Sequence, residues 1–263
     1  MQAVTERDAL IAALSWQLSM GADEAMLDAP VARTAAPPPG PEAEAKRPPT
    51  TPSAPIPLRK VPPAGQLSAS LAAGASTLEE LRAAMAGFEG SALRETATNF
   101  VFSDGVPGAP VMIIGEAPGA EEDRQGKPFV GASGQLLDRM FASIGLSRAE
   151  NLYITNILPF RPPGNRTPTD AEIALFLPFV LRHVQLAAPR FLVLAGGVSA
   201  KGVLQAREGI TRLRGRWHEV TVLDGTVFKV LPTWHPAYLL RNPIAKRDAW
   251  ADLLLLRRNM KDD

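Results

Sequence analysis

Three short runs of the chain are dominated by apolar residues: VMII at 111–114, LYITNI at 152–157 and FLVLAG at 191–196. A strand with one face in water alternates apolar and polar residues, whereas one covered on both faces does not need to. The segments between and around them have helical spacing. TLEELRAAMAGF at 77–88 carries Thr77 and Glu80 in a capping-box pattern, SGQLLDRMFASIG at 133–145 is closed by Gly145, and Asp170–Ala188 forms a long helix. A short helix is predicted from Val198. A hairpin near 216–231 leads to a fourth core strand ending at Thr233, and a last helix covers 246–260. Strands and helices alternating in this way bury their apolar faces as a parallel sheet with helices on both sides. The predicted fold class is therefore α/β: three layers, α/β/α, around a central, mainly parallel four-stranded sheet.

The 263 residues, 46% of them apolar, suffice for one such domain with sequence to spare. Residues 1–28 read as an N-terminal amphipathic helix, with Leu10, Ile11, Leu14, Trp16, Leu18 and Met20 as its apolar residues within 7–27. Residues 29–67 read as a disordered Pro/Ala-rich linker, since 12 of the 25 prolines fall within 30–63. The main folded domain is then 68–263. No run of 18 apolar residues exists, so no membrane span is expected, and the N-terminus lacks the pattern of a secretory signal. Cysteine is absent, which excludes disulfides, thiolate metal sites and cysteine catalysis together and fits a cytoplasmic protein. Net charge is +1 but uneven: residues 201–247 hold nine Lys and Arg against three acids. Such a region reads either as a phosphate-contacting surface or as a solvated basic face.

In a parallel sheet the ligand site lies beyond the carboxyl ends of the strands. Three of the loops there are rich in Gly, Pro and polar groups: GEAPGAEED at 115–123, TNILPFRPPGNRTP at 155–168 and HPAYLLR at 235–241. A fourth rigid loop, GKPFVGASGQLL at 126–137, follows the first. In content and order these four motifs resemble the family 4 uracil-DNA glycosylases, over roughly residues 77–255.

The resemblance implies a DNA-repair enzyme that flips deoxyuridine out of the stack, reads the base and breaks its N-glycosidic bond. Asn156 is then the base reader, because a carboxamide donates to O4 and accepts from N3–H at once, and cytosine reverses both. Gly115, Glu116 and Ala117 line the uracil pocket, and Phe129, between two glycines, stacks on the base. His235 donates to O2 as charge collects there. His183, in a helix, and His218, in a hairpin, read as structural. The better-known family 1 enzymes place an aspartate where Ala117 stands, which shifts the water-orienting role to Glu122 or Asp123 and leaves that choice open. Ser133 at the start of its helix, Arg161, Arg166 and Arg241 are candidate phosphate contacts. Leu239 and Leu240 are candidate wedges for the space left by the flipped base.

The pattern is broken in two places. Family 4 enzymes hold a four-iron, four-sulfur cluster on four cysteines, and Phe88, Ser91, Phe160 and Phe176 fall at those positions. Packed aromatic surface is expected there, with no cofactor and no metal. A related subgroup that crosslinks itself to DNA has a histidine where Asn165 stands, so turnover is expected. The expected substrate is uracil in single- or double-stranded DNA, acted on by a monomer. A protein partner docking on residues 7–27, or the folding back of that helix, is an open pair of readings. Two rivals share the fold: a glycosylase of broader range, acting on other deaminated bases or mismatched thymine, and a noncatalytic DNA-binding module.

Overall fold

The computed structural model describes residues 64–222 and 224–261. Six strands form one sheet: β1 (Ser103–Gly105), β2 (Val111–Gly115), β3 (Leu152–Asn156), β4 (Phe191–Ala195), β5 (His218–Thr221) and β6 (Val227–Thr233), in the order β1-β3-β2-β4-β6-β5. The four inner strands pair in parallel, as the apolar runs predict, and β2, β3 and β4 are buried at every position. Two antiparallel edge strands, β1 on β3 and β5 on β6, extend the expected four to six. The three-residue β1 has no apolar pattern to announce it, and β5 alternates half-buried and exposed positions as an edge strand can.

Side chains leave successive positions of β2 on opposite faces, which divides the core in two. Met112 and Ile114 point to one cluster, with α1 (Ala64–Gly74), α2 (Leu78–Ala86), the short α3 (Leu93–Thr96) and α6 (Asp170–Ala187). Val111 and Ile113 point to the other, which Leu137 and Phe141 of α5 (Ala132–Ala142) and Leu253 and Leu256 of α10 (Lys246–Lys261) complete. The remaining helices, α4 (Ala120–Gln125), α7 (Gly197–Leu204), α8 (Ile210–Leu213) and α9 (Pro236–Arg241), are short and close the loops beyond the strands. Thr169 and Glu172 form a reciprocal capping box that starts α6. At α2 only half of the predicted box forms: Thr77 Oγ1 accepts from the Glu80 N–H at 3.1 Å, but the Glu80 carboxylate reaches the Ser76 N–H instead.

One boundary is corrected. Residues 64–67, assigned to the linker, belong to α1, whose Ser68 and Ala72 are fully buried. A helix mostly of Gly, Ser and Ala, with leucines only at 67 and 71, offers too weak an apolar stripe to be seen beside so many prolines. The predicted helix at 7–27 and the rest of the linker lie outside the described residues. Among the described residues no helix is long and apolar enough to cross a membrane.

Candidate active site

The chain order of the inner strands reverses direction about β2 and β4, and the four parallel strands end there together. Gly115, closing β2, is the register partner of Asn156, closing β3. Gly196 follows β4 and His235 stands two residues beyond the end of β6. Beyond these ends opens a cleft of about 460 Å³, lined by residues from all four motif loops, including Glu116, Phe129, Asn156, Arg166 and His235.

The cleft floor is built around a missing side chain. A Cβ on Gly115 would lie 2.4 Å from Asn156 Oδ1 and 2.5 Å from the Phe129 ring, so only glycine lets the two meet. Asn156 is 4% exposed, yet its carboxamide makes no hydrogen bond among the described residues and Oδ1 is wholly buried. Buried polar atoms are normally paired, so an orphan aimed into a cleft marks a place where a ligand supplies the partner. Phe129 holds a left-handed backbone, φ 54°, which a bulky residue adopts only under constraint. Its ring lies 5.5 Å from that of His235, with 29° between the planes.

His235 caps the N-terminus of α9: its Nδ1 accepts from the Ala237 N–H at 3.1 Å. That bond places the ring proton on Nε2. Burial, helped by the positive charge of Arg241 and opposed by Glu122, pushes the imidazole down to about 4. The ring is thus a neutral Nε2–H donor at physiological pH. Close packing fixes its position: a Cβ on Gly196, φ 104°, would come 2.9 Å from His235 Cβ. His183 and His218 lie outside the cleft. His183 is buried 2.9 Å from Tyr153 Oη and held down at about 3 by burial, and His218 Nε2 meets the Leu213 carbonyl.

The acids divide differently from the expectation. Glu122 lines the cleft, but its carboxylate already accepts from three backbone N–H groups: Gly119 at 3.2 Å, and Val130 and Gly131 at 2.9 Å each. It ties the first motif loop to the second and has little capacity left for water. Asp123 is not among the cleft-lining residues. It faces back into the protein, where Oδ1 accepts from the Thr98 and Asn99 N–H groups. Glu116, expected only as pocket lining, is the carboxylate in the cleft without a partner among the described residues. Burial raises its pKa above the ordinary carboxylate value.

The candidate DNA contacts also sort themselves. Arg241 and Ser133 line the cleft, Ser133 one turn position inside α5 because Gly131 is the N-cap. Arg166 lines it too, but its guanidinium is spanned by Glu172 at 2.6 and 2.9 Å. Arg161 is withdrawn: its Nε donates to Asn165 Oδ1 at 2.7 Å, and its Nη1 lies 3.9 Å from Asp123. Leu239 is corrected outright, being fully buried with Leu136 and Ala249, whereas its neighbour Leu240 is 44% exposed. Two features at and beside the cleft were not foreseen. Tyr238 lines the wall and stacks at 4.5 Å on Trp234. The end of β6 is braced by Thr233 Oγ1 donating to the buried Asp252, which Arg214 pairs at 2.7 Å. Asn165, which the resemblance sets where the crosslinking subgroup has a histidine, lines the cleft on a left-handed turn, φ 56°.

A family model, the uracil DNA glycosylase superfamily, matches residues 102–254, the stretch that contains every residue lining the cleft. The chain belongs to the uracil-DNA glycosylase superfamily. It is similar to the type-4 uracil-DNA glycosylase of Archaeoglobus fulgidus, 38% identical over 61% of this chain and 81% of that one. The type-4 enzyme of Thermotoga maritima is 39% identical over 55% and 73% respectively, and that of Sulfurisphaera tokodaii 34% over 69% and 84%.

Against the cluster that the family 4 resemblance implies, this superfamily member offers no ligands. Phe88 and Phe176 meet edge to face at 5.8 Å, Phe160 and Phe176 at 6.3 Å, and Phe179 closes on Phe88 at 5.4 Å. Ser91, the fourth position, is buried and accepts from the Leu93 N–H. A knot of phenyl rings and one hydroxyl supplies no thiolate, so these residues do not fit an iron–sulfur cluster. Among the described residues no group of three or more His, Asp or Glu could hold a metal ion.

Proposed function

We propose that the chain is a uracil-DNA glycosylase that excises the base from deoxyuridine in DNA and leaves an abasic site for base excision repair. The observation that carries this reading is the buried, unpartnered carboxamide of Asn156 beside the Phe129 ring and the neutral Nε2–H of His235. A flipped uracil would stack on Phe129, give its N3–H to Asn156 Oδ1 and accept from Asn156 Nδ2 at O4. Cytosine in the same pose would leave buried groups unpaired.

The N1–C1′ bond breaks with its electron pair leaving on uracil, and the charge spreads to O2. His235 Nε2–H donates there without needing to be protonated first. Glu116 is the group we assign to the sugar cation and to the water that adds at C1′, taking a proton from that water. It is the carboxylate in the cleft that makes no hydrogen bond among the described residues, whereas those of Glu122 and Asp123 are committed to backbone amides. Arg241, Ser133 and the exposed Leu240 are assigned to the strand around the flipped nucleotide. We further propose that the enzyme works in the cytoplasm as a monomer without a cofactor, its cluster positions filled by Phe88, Phe160 and Phe176. Residues 7–27 are proposed as a docking segment for a protein partner.

The test is a labelled oligonucleotide with a single uracil, treated with the protein and then with alkali. Strand cleavage at the uracil, and none at cytosine or thymine in the same context, is the expected result. An intact strand at protein excess overturns the reading, and equal cleavage at mismatched thymine would move it to the broader-range alternative.

A further inference from the structure

The stacking residue Phe129 is held in a backbone conformation that its side chain disfavours, and the structure shows what holds it. The loop 128–131 is gripped from two sides. On one, Glu122 takes the amides of Val130 and Gly131. On the other, Arg148 takes the two preceding carbonyls: Nη1 donates to Pro128 O at 3.1 Å and Nη2 to Phe129 O at 2.8 Å. The remaining donors of the guanidinium are used as well, Nη1 on Asp104 at 2.8 Å and Nε and Nη2 on Asp138 at 3.0 and 2.8 Å. Five N–H groups thus make five hydrogen bonds, and a lysine, with three donors on one atom, cannot reproduce that fork.

Arg148 is itself fixed in the turn between α5 and β3, where Asn151 Oδ1 accepts from the Ser147 N–H and Asn151 Nδ2 donates to Gly145 O. The first turn of α5 presses on the same peptide. A Cβ on Gly134 would lie 1.8 Å from Phe129 O, so only glycine leaves that carbonyl room to turn toward the guanidinium. Arg148 lines no part of the cleft.

We propose that Arg148 is a positioning residue for base recognition: by holding the Pro128 and Phe129 carbonyls it keeps Phe129 left-handed and its ring over Gly115. Part of this claim rests on reading the cleft as a uracil pocket, because the ring is then the surface on which the base stacks. An ångström of displacement there is enough to cost about a hundredfold in rate.

A double-variant cycle tests it. Single-turnover uracil release from DNA is measured for the full chain as wild type, Arg148→Ala, Arg148→Lys, Phe129→Ala and the pair Phe129→Ala with Arg148→Ala, with the melting temperature of each. Arg148→Ala should slow release about tenfold to a hundredfold, with DNA affinity little changed and Arg148→Lys in between. In the Phe129→Ala background the same change should cost little more, because the ring it positions is gone. Losses that multiply, or an Arg148→Ala rate within about twofold of wild type, overturn the proposal. Should Arg148→Ala fail to fold, the Arg148→Lys cycle decides by the same rule. Amide hydrogen exchange separates this failure from that of the functional reading. Val130 and Gly131 should exchange faster in Arg148→Lys while β2 and β4 stay protected, and unchanged loop exchange removes the clamp whatever the activity. A wild type that releases no uracil, with the loop exchange altered as expected, sinks the functional reading and leaves the clamp standing.

Discussion

At Asn156 and Glu116 two neighbouring strand ends deliver one polar side chain each into the same cleft, and chemistry separates them. Asn156→Asp keeps shape and loses the donor that O4 requires, so uracil release should fall by at least about a hundredfold, the scale on which an unpaired buried group penalises the wrong partner. Weak release of cytosine, whose N4 amine suits a carboxylate, is the accompanying expectation. A steady-state rate on uracil equal to wild type removes Asn156 from the pocket. Glu116 must be ionised to accept a proton or face a cation, and burial raises its pKa. The rate should therefore be full above that raised pKa and fall as pH drops through it, earlier than for an ordinary carboxylate at 4.5. Glu116→Gln should be slow and lack this acidic limb. A wild-type rate flat down to the usual carboxylate range would return the role to another group. The four-motif resemblance singled out Asn156, Phe129 and His235, and the fold brings all three to one cleft. Which carboxylate is free was not legible: GEAPGAEED spells four acids alike, and only the folded amides of 98, 99, 119, 130 and 131 show that Glu122 and Asp123 are taken.

Among the elements, the inner strands were the readable part, since burial on both faces leaves uninterrupted apolar runs. Edge strand β5 was read as the first arm of the hairpin near 216–231, but β1 and α1 were not, because a three-residue or alanine-rich segment carries no period strong enough to read. The same limit misplaced Leu239. In a six-residue helix the inward and outward leucines are adjacent in sequence, and only the fold tells the buried one from Leu240. The aromatic knot, by contrast, was expected from the resemblance, which places three phenylalanines at the cluster positions. Phe88, Phe160 and Phe176 are each at most 3% exposed and lie in one cluster with Phe179. Phe160→Ala removes a ring from the loop that directly follows β3, so it opens a cavity and should cost about 3–5 kcal/mol in a denaturant melt. Because the knot lies apart from the cleft, single-turnover release by the folded fraction should stay near wild type. A loss of activity larger than the loss of folded protein would show that the knot also positions the β3 loop, and a melt unchanged from wild type would show that the ring is not packed as described.

For the molecule as a whole, the first described helix decides where the catalytic unit can be cut. Every group assigned to the cleft lies between Gly115 and Arg241. The helix α1 nevertheless belongs to the folded unit: it packs along α6, buries Ser68 and Ala72, and ends where Ala75 O accepts from Arg182 at 2.6 and 2.9 Å. A chain beginning at Ala64 keeps all of this, so its excision of uracil from oligonucleotides should match the full chain to within about twofold. A chain beginning at Ser76 loses α1. It exposes part of the α6 surface and leaves a half-buried guanidinium without its carbonyl, an orphaned charged donor that costs more than a neutral one. The second truncation should melt several degrees lower than the first, as follows from a loss of a few kcal/mol in a domain of this size. Thermal melts and single-turnover rates of the two chains side by side check both statements. Equal stability would show that α1 is dispensable and that the domain begins at α2, and an inactive chain from Ala64 would place a catalytic requirement within residues 1–63.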